Sequence, residues 1–217
     1  MMIRGVRALM DEFKTKQEEF WAGDFGDEYT SRNQGEDRVA SNMMLFAKIL
    51  ARTDTVKTLL EFGANIGLNL HAIRHLLPSA ELSAVEINRK AVEELEKLGY
   101  VKVYHQSVLD FSPDYMRDFI LVKGVLIHLN PSVLPSVYRL LYQTSSRYIC
   151  LAEYYNPTPV EIIYRGHADR LFKRDFAGEL KKTYPDLRLI DYGFVYHGDL
   201  QFPQDDITWF LFEKATR

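Results

Sequence analysis

Leu59-Leu60-Glu61-Phe62-Gly63-Ala64-Asn65-Ile66-Gly67-Leu68-Asn69 is an apolar run that passes through two glycines into a helical pattern. Ile66, Leu70, Ile73 and Leu77 follow at spacings of four, three and four, one face of a helix, and Pro78 closes it. Residues 56–62 therefore read as a strand that leads directly into a helix. At such a junction small residues let a ligand approach the backbone, and the helix start offers unpaired N–H groups. Glu86 ends the next apolar run, about twenty residues beyond the turn, where a carboxylate can accept hydrogen bonds from both hydroxyls of a ribose. Together these features indicate a cofactor that contains adenosine.

Outward from that junction, short β-rich runs alternate with amphipathic stretches, the pattern of an α/β fold with a mostly parallel sheet. Strands are predicted at residues 81–87, 101–105, 118–122 and 147–152. Asn88 caps a helix that carries Ala91, Leu95 and Leu98 on one face and stops at Gly99. Asn130-Pro131 opens another, with Val133, Val137, Leu140 and Leu141 inward. After an irregular stretch, residues 174–184 read as a helix, and strands at 187–196 and 206–213 are joined by a polar loop without a helix, which implies a closing hairpin. The expectation is seven strands with an antiparallel last member. Residues 1–52 form an N-terminal helical cap segment, and residues 53–217 form the main domain.

Composition narrows the partners. The 217 residues are 47% hydrophobic and 26% charged, values of a globular chain, and the net charge of -3 gives no global attraction to nucleic acid or anionic membrane. Cys150 is the only cysteine and lies in an apolar run, so a disulfide framework and a cysteine-rich metal site are excluded and a reducing cytoplasm is expected. The opening residues reach acids before any signal-peptide core, and no run approaches the ~20 apolar residues of a membrane helix. His71, His75, His105, His167 and His197 share no ligand spacing, so no metal is expected. Asp199, Asp205 and Asp206 read as a solvated loop and strand entry, with acceptor contact as the competing reading.

The turn itself chooses among cofactors. Dinucleotide enzymes keep G-x-G-x-x-G so that a pyrophosphate can reach the helix start, whereas here Asn65 takes the second small position and acidic Glu61 precedes the turn. An acid suits a cationic amino group better than a phosphate. With Glu61, the G-x-N-x-G turn and Glu86, the segment resembles motif I and the acidic ribose position of class I S-adenosylmethionine-dependent methyltransferases. That resemblance implies a Rossmann-like seven-stranded methyltransferase sheet and S-adenosylmethionine as cofactor, with S-adenosylhomocysteine as product. It also implies contacts from Glu61, Gly63, Ala64, Asn65, Gly67, Glu86 and Ile87, and adenine contact by Ser107 and Val108, Ser107 standing where many members have aspartate. Gly124-Val125-Leu126-Ile127-His128-Leu129 is similar to the stretch beside the transferable methyl, which brings Lys123 and His128 near the chemistry.

A narrower resemblance spans nearly the whole chain. Residues 20–33, 152–157, 171–176 and 205–209 look like the pseudaminic acid biosynthesis-associated methyltransferases, which implies a sugar or other small polar acceptor. In this fold the segment holding Tyr29, Arg32 and Asn33 commonly closes over the cofactor, with Arg able to pair bidentately with a carboxylate; the competing reading is a surface loop anchored by Trp21 and Phe25. Glu153 ends the fifth predicted strand, as base or as a capping carboxylate, and Tyr154 and Tyr155 can wall a sugar. His128 is a base or a histidine that satisfies a loop carbonyl. Arg165 and Arg170 belong to a basic patch that fits either an anionic acceptor group or a solvated flank. The main reading is a methyltransferase acting on a sugar or nucleotide-sugar hydroxyl or amine. Its rivals are a non-catalytic adenosine-ligand binding module that engages a partner protein, and a nucleotide-dependent dehydrogenase.

Overall fold

The computed structural model describes residues 13–32 and 35–215. Three helices come first, α1 (Lys16–Ala22), α2 (Asp24–Arg32) and α3 (Glu36–Leu50). An alternating series follows: β1 (Thr58–Phe62), α4 (Leu68–Leu76), β2 (Glu81–Glu86), α5 (Arg89–Lys97), β3 (Val101–His105) and β4 (Arg117–Lys123). After a short 3-10 turn at Leu126–His128 come α6 (Leu134–Thr144) and β5 (Ser145–Glu153). The remaining elements are β6 (Val160–Tyr164), β7 (His167–Lys173), α7 (Phe176–Thr183), β8 (Leu187–Val195) and β9 (Ile207–Lys214).

Seven strands make one sheet in the order β3-β2-β1-β4-β5-β9-β8. β9 pairs antiparallel with both β5 and β8, so it alone runs against the other six. β1 sits between β2 and β4, with Leu60 opposite Ser83 on one side and Ile120 on the other. Its inner residues are buried on both faces, as parallel strands are when helices cover each side. On one side Leu59, Phe119, Leu121 and Trp209 pack against Phe46 and Ile49 of α3, Ile73 of α4 and Leu95 of α5. On the other, Leu60, Ile120, Val122 and Phe212 meet Leu141 of α6 and Leu180 of α7. Chain order reverses between β1 and β4, and ligands in open α/β sheets lie in the crevice outside the strand ends at such a point.

The stretch read as irregular holds a separate two-stranded sheet, β6 with β7. Arg165 and Gly166 connect its strands with φ of 51° and 86°, the two-residue positive-φ turn that matches strand twist. β6 is largely exposed, so no alternation of apolar and polar residues marks it in the sequence.

The N-terminal helices sit over the carboxyl edge of the sheet. Thr15 and Glu18 form a capping box that starts α1. Asn88, the N-cap of α5, sends its side-chain amide to the Trp21 carbonyl at 3.2 Å and to Asp27 at 2.8 Å. α2 closes on the end of α1 at Gly26, where a Cβ would lie 1.9 Å from the Trp21 carbonyl oxygen and 2.8 Å from Asn88 Nδ2. Only glycine fits that approach. Gly26→Ala is expected to cost ~1–3 kcal/mol, the usual scale of overpacking. Urea denaturation measures the loss, and hydrogen exchange should show faster opening across residues 16–32 with β1 and β4 unchanged.

Candidate functional site

The turn between β1 and α4 needs three left-handed residues, Gly63 (φ 69°), Asn65 (φ 48°) and Gly67 (φ 83°). Asparagine is among the few side-chain residues that tolerate this region, so the G-x-N-x-G spelling is a backbone requirement. The neighbours of the glycines are protein. A Cβ on Gly63 would come within 2.5 Å of Val125, and one on Gly67 within 2.7 Å of Leu95. Gly67 serves the packing of α4 on α5 and does not line a cavity, contrary to its expected role at the cofactor.

A cavity of about 240 Å³ opens where the strand order reverses. Gly63, Ala64, Asn65, Glu86, Ile87, Ser107, Val108, Lys123 and His128, all singled out in the sequence, line it, as does Tyr29. Glu86 is buried; its carboxylate accepts the Asn65 N–H at 2.7 Å and the Asn88 N–H at 2.8 Å. Burial raises its pKa, partly offset by those N–H donors. Each carboxylate oxygen has capacity left for a further donor.

Glu61 is fully buried, and it lies one residue behind the cavity wall. Its Oε1 accepts the Asn69 side-chain N–H at 2.6 Å, and its Oε2 has no partner among the described residues. Asn69 itself lines the cavity, and its Oδ1 is a buried acceptor without a donor. The pair presents one directed acceptor, Asn69 Oδ1, to that end of the space, with the Glu61 carboxyl behind it. Burial pushes the Glu61 carboxyl up to about 8, against the Asn69 bond and the Lys123 charge. Lys123, half-buried, is pulled below the usual lysine range by burial, partly offset by Glu61, Asp205 and Glu153.

His128 packs 4.6 Å from Trp21 and 5.0 Å from Tyr164, ring to ring. Its Nδ1–H donates to the Arg170 carbonyl at 2.7 Å, which leaves Nε2 as the acceptor of a neutral ring. Burial lowers its pKa to about 4. Tyr29 stands edge-on to Trp21 at 5.2 Å, and burial, with Tyr164 and Asp205 nearby, raises its phenol to about 12.

Several expected site residues lie elsewhere. Glu153 is buried but accepts the N–H groups of Val125 and Leu126 at 3.0 Å and Ile127 at 3.4 Å, so it caps the 3-10 turn and does not line the cavity. Burial raises it to about 7. Tyr154 and Tyr155 also lie off the cavity, and Tyr155 is exposed. Arg165 stacks over Tyr164, while Arg170 donates to the Asp169 carbonyl at 2.7 Å and covers the Phe20 ring. Arg32 ends α2 on its exposed side beside Glu28 at 3.8 Å. Asn33 lies outside the described residues.

Other residues complete the wall. Gln17, Glu18 and Trp21 of α1, Thr30 of α2, Arg38, Ser41 and Asn42 of α3, and Gln204 and Asp205 before β9 all border the cavity. Asp205, read from the sequence as a solvated residue, therefore faces it. Gln204 is tied to α3 by donating to the Ser41 carbonyl at 2.7 Å. The capping box at 15–18 was legible as a helix start, but nothing local says which cavity it borders. Among the described residues no group of His, Cys, Asp and Glu is placed to hold a metal, and no helix is long and apolar enough to cross a membrane.

No described protein family and no curated protein matches the sequence. Solved structures do match in fold. A Burkholderia thailandensis 1,6-didemethyltoxoflavin-N1-methyltransferase, with bound 1,6-didemethyltoxoflavin and S-adenosylhomocysteine, aligns at TM-score 0.67 and 13% identity over 100% of this chain and 93% of that one. The magnesium protoporphyrin IX methyltransferase of Synechocystis PCC 6803, with bound S-adenosylhomocysteine, aligns at 0.66 and 12% over 94% and 100%. A mitomycin 7-O-methyltransferase aligns at 0.62 and 14% over 93% of this chain and 61% of its own length, so the chain spans about three fifths of that protein. The architecture is thus the Rossmann-like fold of S-adenosylmethionine-dependent methyltransferases. None of these three is a pseudaminic acid enzyme.

The buried carboxylates set a pH dependence. Burial pushes the Glu61 carboxyl from its ordinary 4.5 up to about 8, so the folded state holds its proton where the unfolded chain has lost it. That contribution is fully present below about pH 4.5, and stability falls as pH rises toward 8. Chemical denaturation at pH 5, 6, 7 and 8 should show a slope that is shallower in Glu61→Gln; equal slopes would remove Glu61 as its source.

Proposed function

We propose that the chain is a methyltransferase that binds S-adenosylmethionine in this cavity and methylates a small polar acceptor. The observation that carries the reading is that one cavity is bordered by two side chains with acceptor capacity to spare, Asn69 and Glu86. Asn69 Oδ1, oriented by its bond to the Glu61 carboxyl, suits an α-ammonium group, and Glu86, at the neighbouring strand end, suits a ribose diol. The donor chemistry fits too, since a nearby cation stabilises the ionised form of a buried carboxyl, whereas a pyrophosphate opposes it. That contrast also disfavours a dinucleotide. The solved methyltransferases of this fold that carry S-adenosylhomocysteine support the same choice.

When bound, S-adenosylmethionine supplies an electrophilic methyl group already activated on a sulfonium. The chain has then chiefly to hold two reactants in line, an effect worth up to ~7–11 kcal/mol in model systems. Asn69 and Glu86 would hold the donor, while Tyr29, Arg38 and Asp205, which also border the cavity, offer polar groups to an acceptor. α1 to α3 cover the strand ends and keep water from the reacting atoms. His128 Nε2 can take a proton from a hydroxyl or ammonium, although its low basicity makes it a weak base, so alignment is the larger effect. A sugar or nucleotide-sugar hydroxyl or amine, in pseudaminic-acid-type biosynthesis, is the acceptor class that the sequence resemblance supports. A cytoplasmic site of action is supported by the lone buried cysteine.

Calorimetry tests the donor assignment. Glu86→Ala should weaken S-adenosylhomocysteine by ~1.5–3 kcal/mol, the scale of a charge-assisted hydrogen bond. Unchanged affinity would sink the ribose role, and tighter binding of NAD would overturn the cofactor. Ligand should also slow hydrogen exchange across residues 16–32; no change there would make the helical cap a static wall. Labelled S-adenosylmethionine offered with sugar and nucleotide-sugar acceptors separates an enzyme from a binding module.

A further inference from the structure

Gln17 lies in the first turn of α1, is 1% exposed, and borders the cavity. Its Nε2 donates to the Asp169 carbonyl of β7 at 3.0 Å. Only the NH₂ end of the amide can donate to a carbonyl, so that bond fixes which way the group points. The other end, Oε1, is buried and has no hydrogen-bond partner among the described residues. A buried carbonyl oxygen left without a donor carries its full desolvation penalty, so such a group calls for an explanation.

The surroundings say which part of a ligand would meet it. Glu86 ends β2 and suits the ribose, so a base attached to that ribose extends toward the end of the next strand, β3, where Gln106, Ser107 and Val108 line the cavity. Glu18 pins α1 to that end: one carboxylate oxygen accepts the Ser107 hydroxyl and the other accepts the Thr15 N–H at 2.7 Å. The Ser107 oxygen also accepts the Leu109 N–H at 3.0 Å. Its only donor is therefore committed to Glu18, and the expected adenine contact cannot come from that hydrogen. Gln17, next to Glu18 in the helix, holds an acceptor that remains open, whereas the other open amide oxygens of the wall, on Asn69 and Gln204, belong to α4 and to the segment before β9.

Resting on the cofactor reading above, we propose that Gln17 Oε1 accepts the exocyclic amino group of the cofactor's purine and makes the pocket selective for a 6-aminopurine. A 6-oxopurine places a carbonyl oxygen where the amine would be. Two acceptors then face each other without a proton, and with Nε2 held by Asp169 the amide cannot turn over to donate. A site built to hydrogen-bond an N–H rejects an analogue that lacks it far more strongly than a site that merely fits its shape.

The test compares S-adenosylhomocysteine with S-inosylhomocysteine by calorimetry on the full chain. The wild type should prefer the amino ligand by at least thirtyfold. In Gln17→Met, similar in size but without the acceptor, that preference should fall at least tenfold, with the 6-oxo ligand bound no more weakly than by the wild type. Gln106→Ala should keep the preference, since Gln106 borders the same end and is its natural rival. Thermal unfolding reports whether Gln17→Met is folded; should it not fold, the wild-type comparison still decides, equal affinity for the two ligands overturning the proposal. Full preference in a folded Gln17→Met, or its loss in Gln106→Ala alone, would overturn the Gln17 role and leave the cofactor reading standing. A wild type that binds neither ligand would remove both.

Discussion

Two backbone N–H groups, those of Asn65 and Asn88, converge on the Glu86 carboxylate at 2.7 and 2.8 Å, and much of the molecule is arranged by that convergence. Asn65 belongs to the turn after β1 and Asn88 to the turn after β2, so one side chain sets the two neighbouring turns relative to each other. The Gly63 N–H adds to this by donating to the Val85 carbonyl at 2.8 Å. Asn88 also caps α5 and anchors α1 and α2 through the Trp21 carbonyl and Asp27. The position of the helical cap over the strand ends thus traces back to the same carboxylate.

Three glutamates lie at or one residue before the ends of parallel strands in this sheet, and their partners give them different work. Glu86 meets two N–H donors and keeps capacity for a ligand. Glu153 meets three, two of them on one oxygen, and holds the turn after β4. Glu61 meets one side-chain amide and leaves an oxygen bare, so it acts on the cavity by orienting Asn69. All three lie above the ordinary carboxylate range because burial disfavours their charged forms. Only the N–H groups that the fold brings to each one distinguish a structural cap from a ligand contact.

The β6–β7 hairpin contributes carbonyls as much as covering surface. The Asp169 carbonyl fixes the Gln17 amide, and the Arg170 carbonyl fixes the His128 tautomer. Two consecutive backbone oxygens on one strand therefore orient two cavity side chains from different parts of the chain. Asp169 has φ 59°, an uncommon conformation for a residue with a side chain, at the point where this occurs. The aromatic rings of Trp21, His128 and Tyr164 pack together at the same seam, joining α1, the 3-10 turn and the hairpin.

Local pattern was enough for the frame. The alternation of apolar runs with amphipathic stretches, the closing pair of strands, the G-x-N-x-G turn and the acid at the end of β2 are all written within a few residues, because strand and helix periods and positive-φ turns are local demands. Even so, β6 escaped detection, since an exposed strand carries no alternation, and of the two readings of Glu153, base or capping carboxylate, only the N–H groups of residues 125–127 show the cap. The remainder of the wall depended on contacts across long separations: Ser107 with Glu18, Gln204 with Ser41, Gln17 with Asp169. A residue type shows what a side chain can donate or accept. Which of those capacities are already satisfied by the protein, and which are left facing a cavity, is settled only when distant segments are brought together.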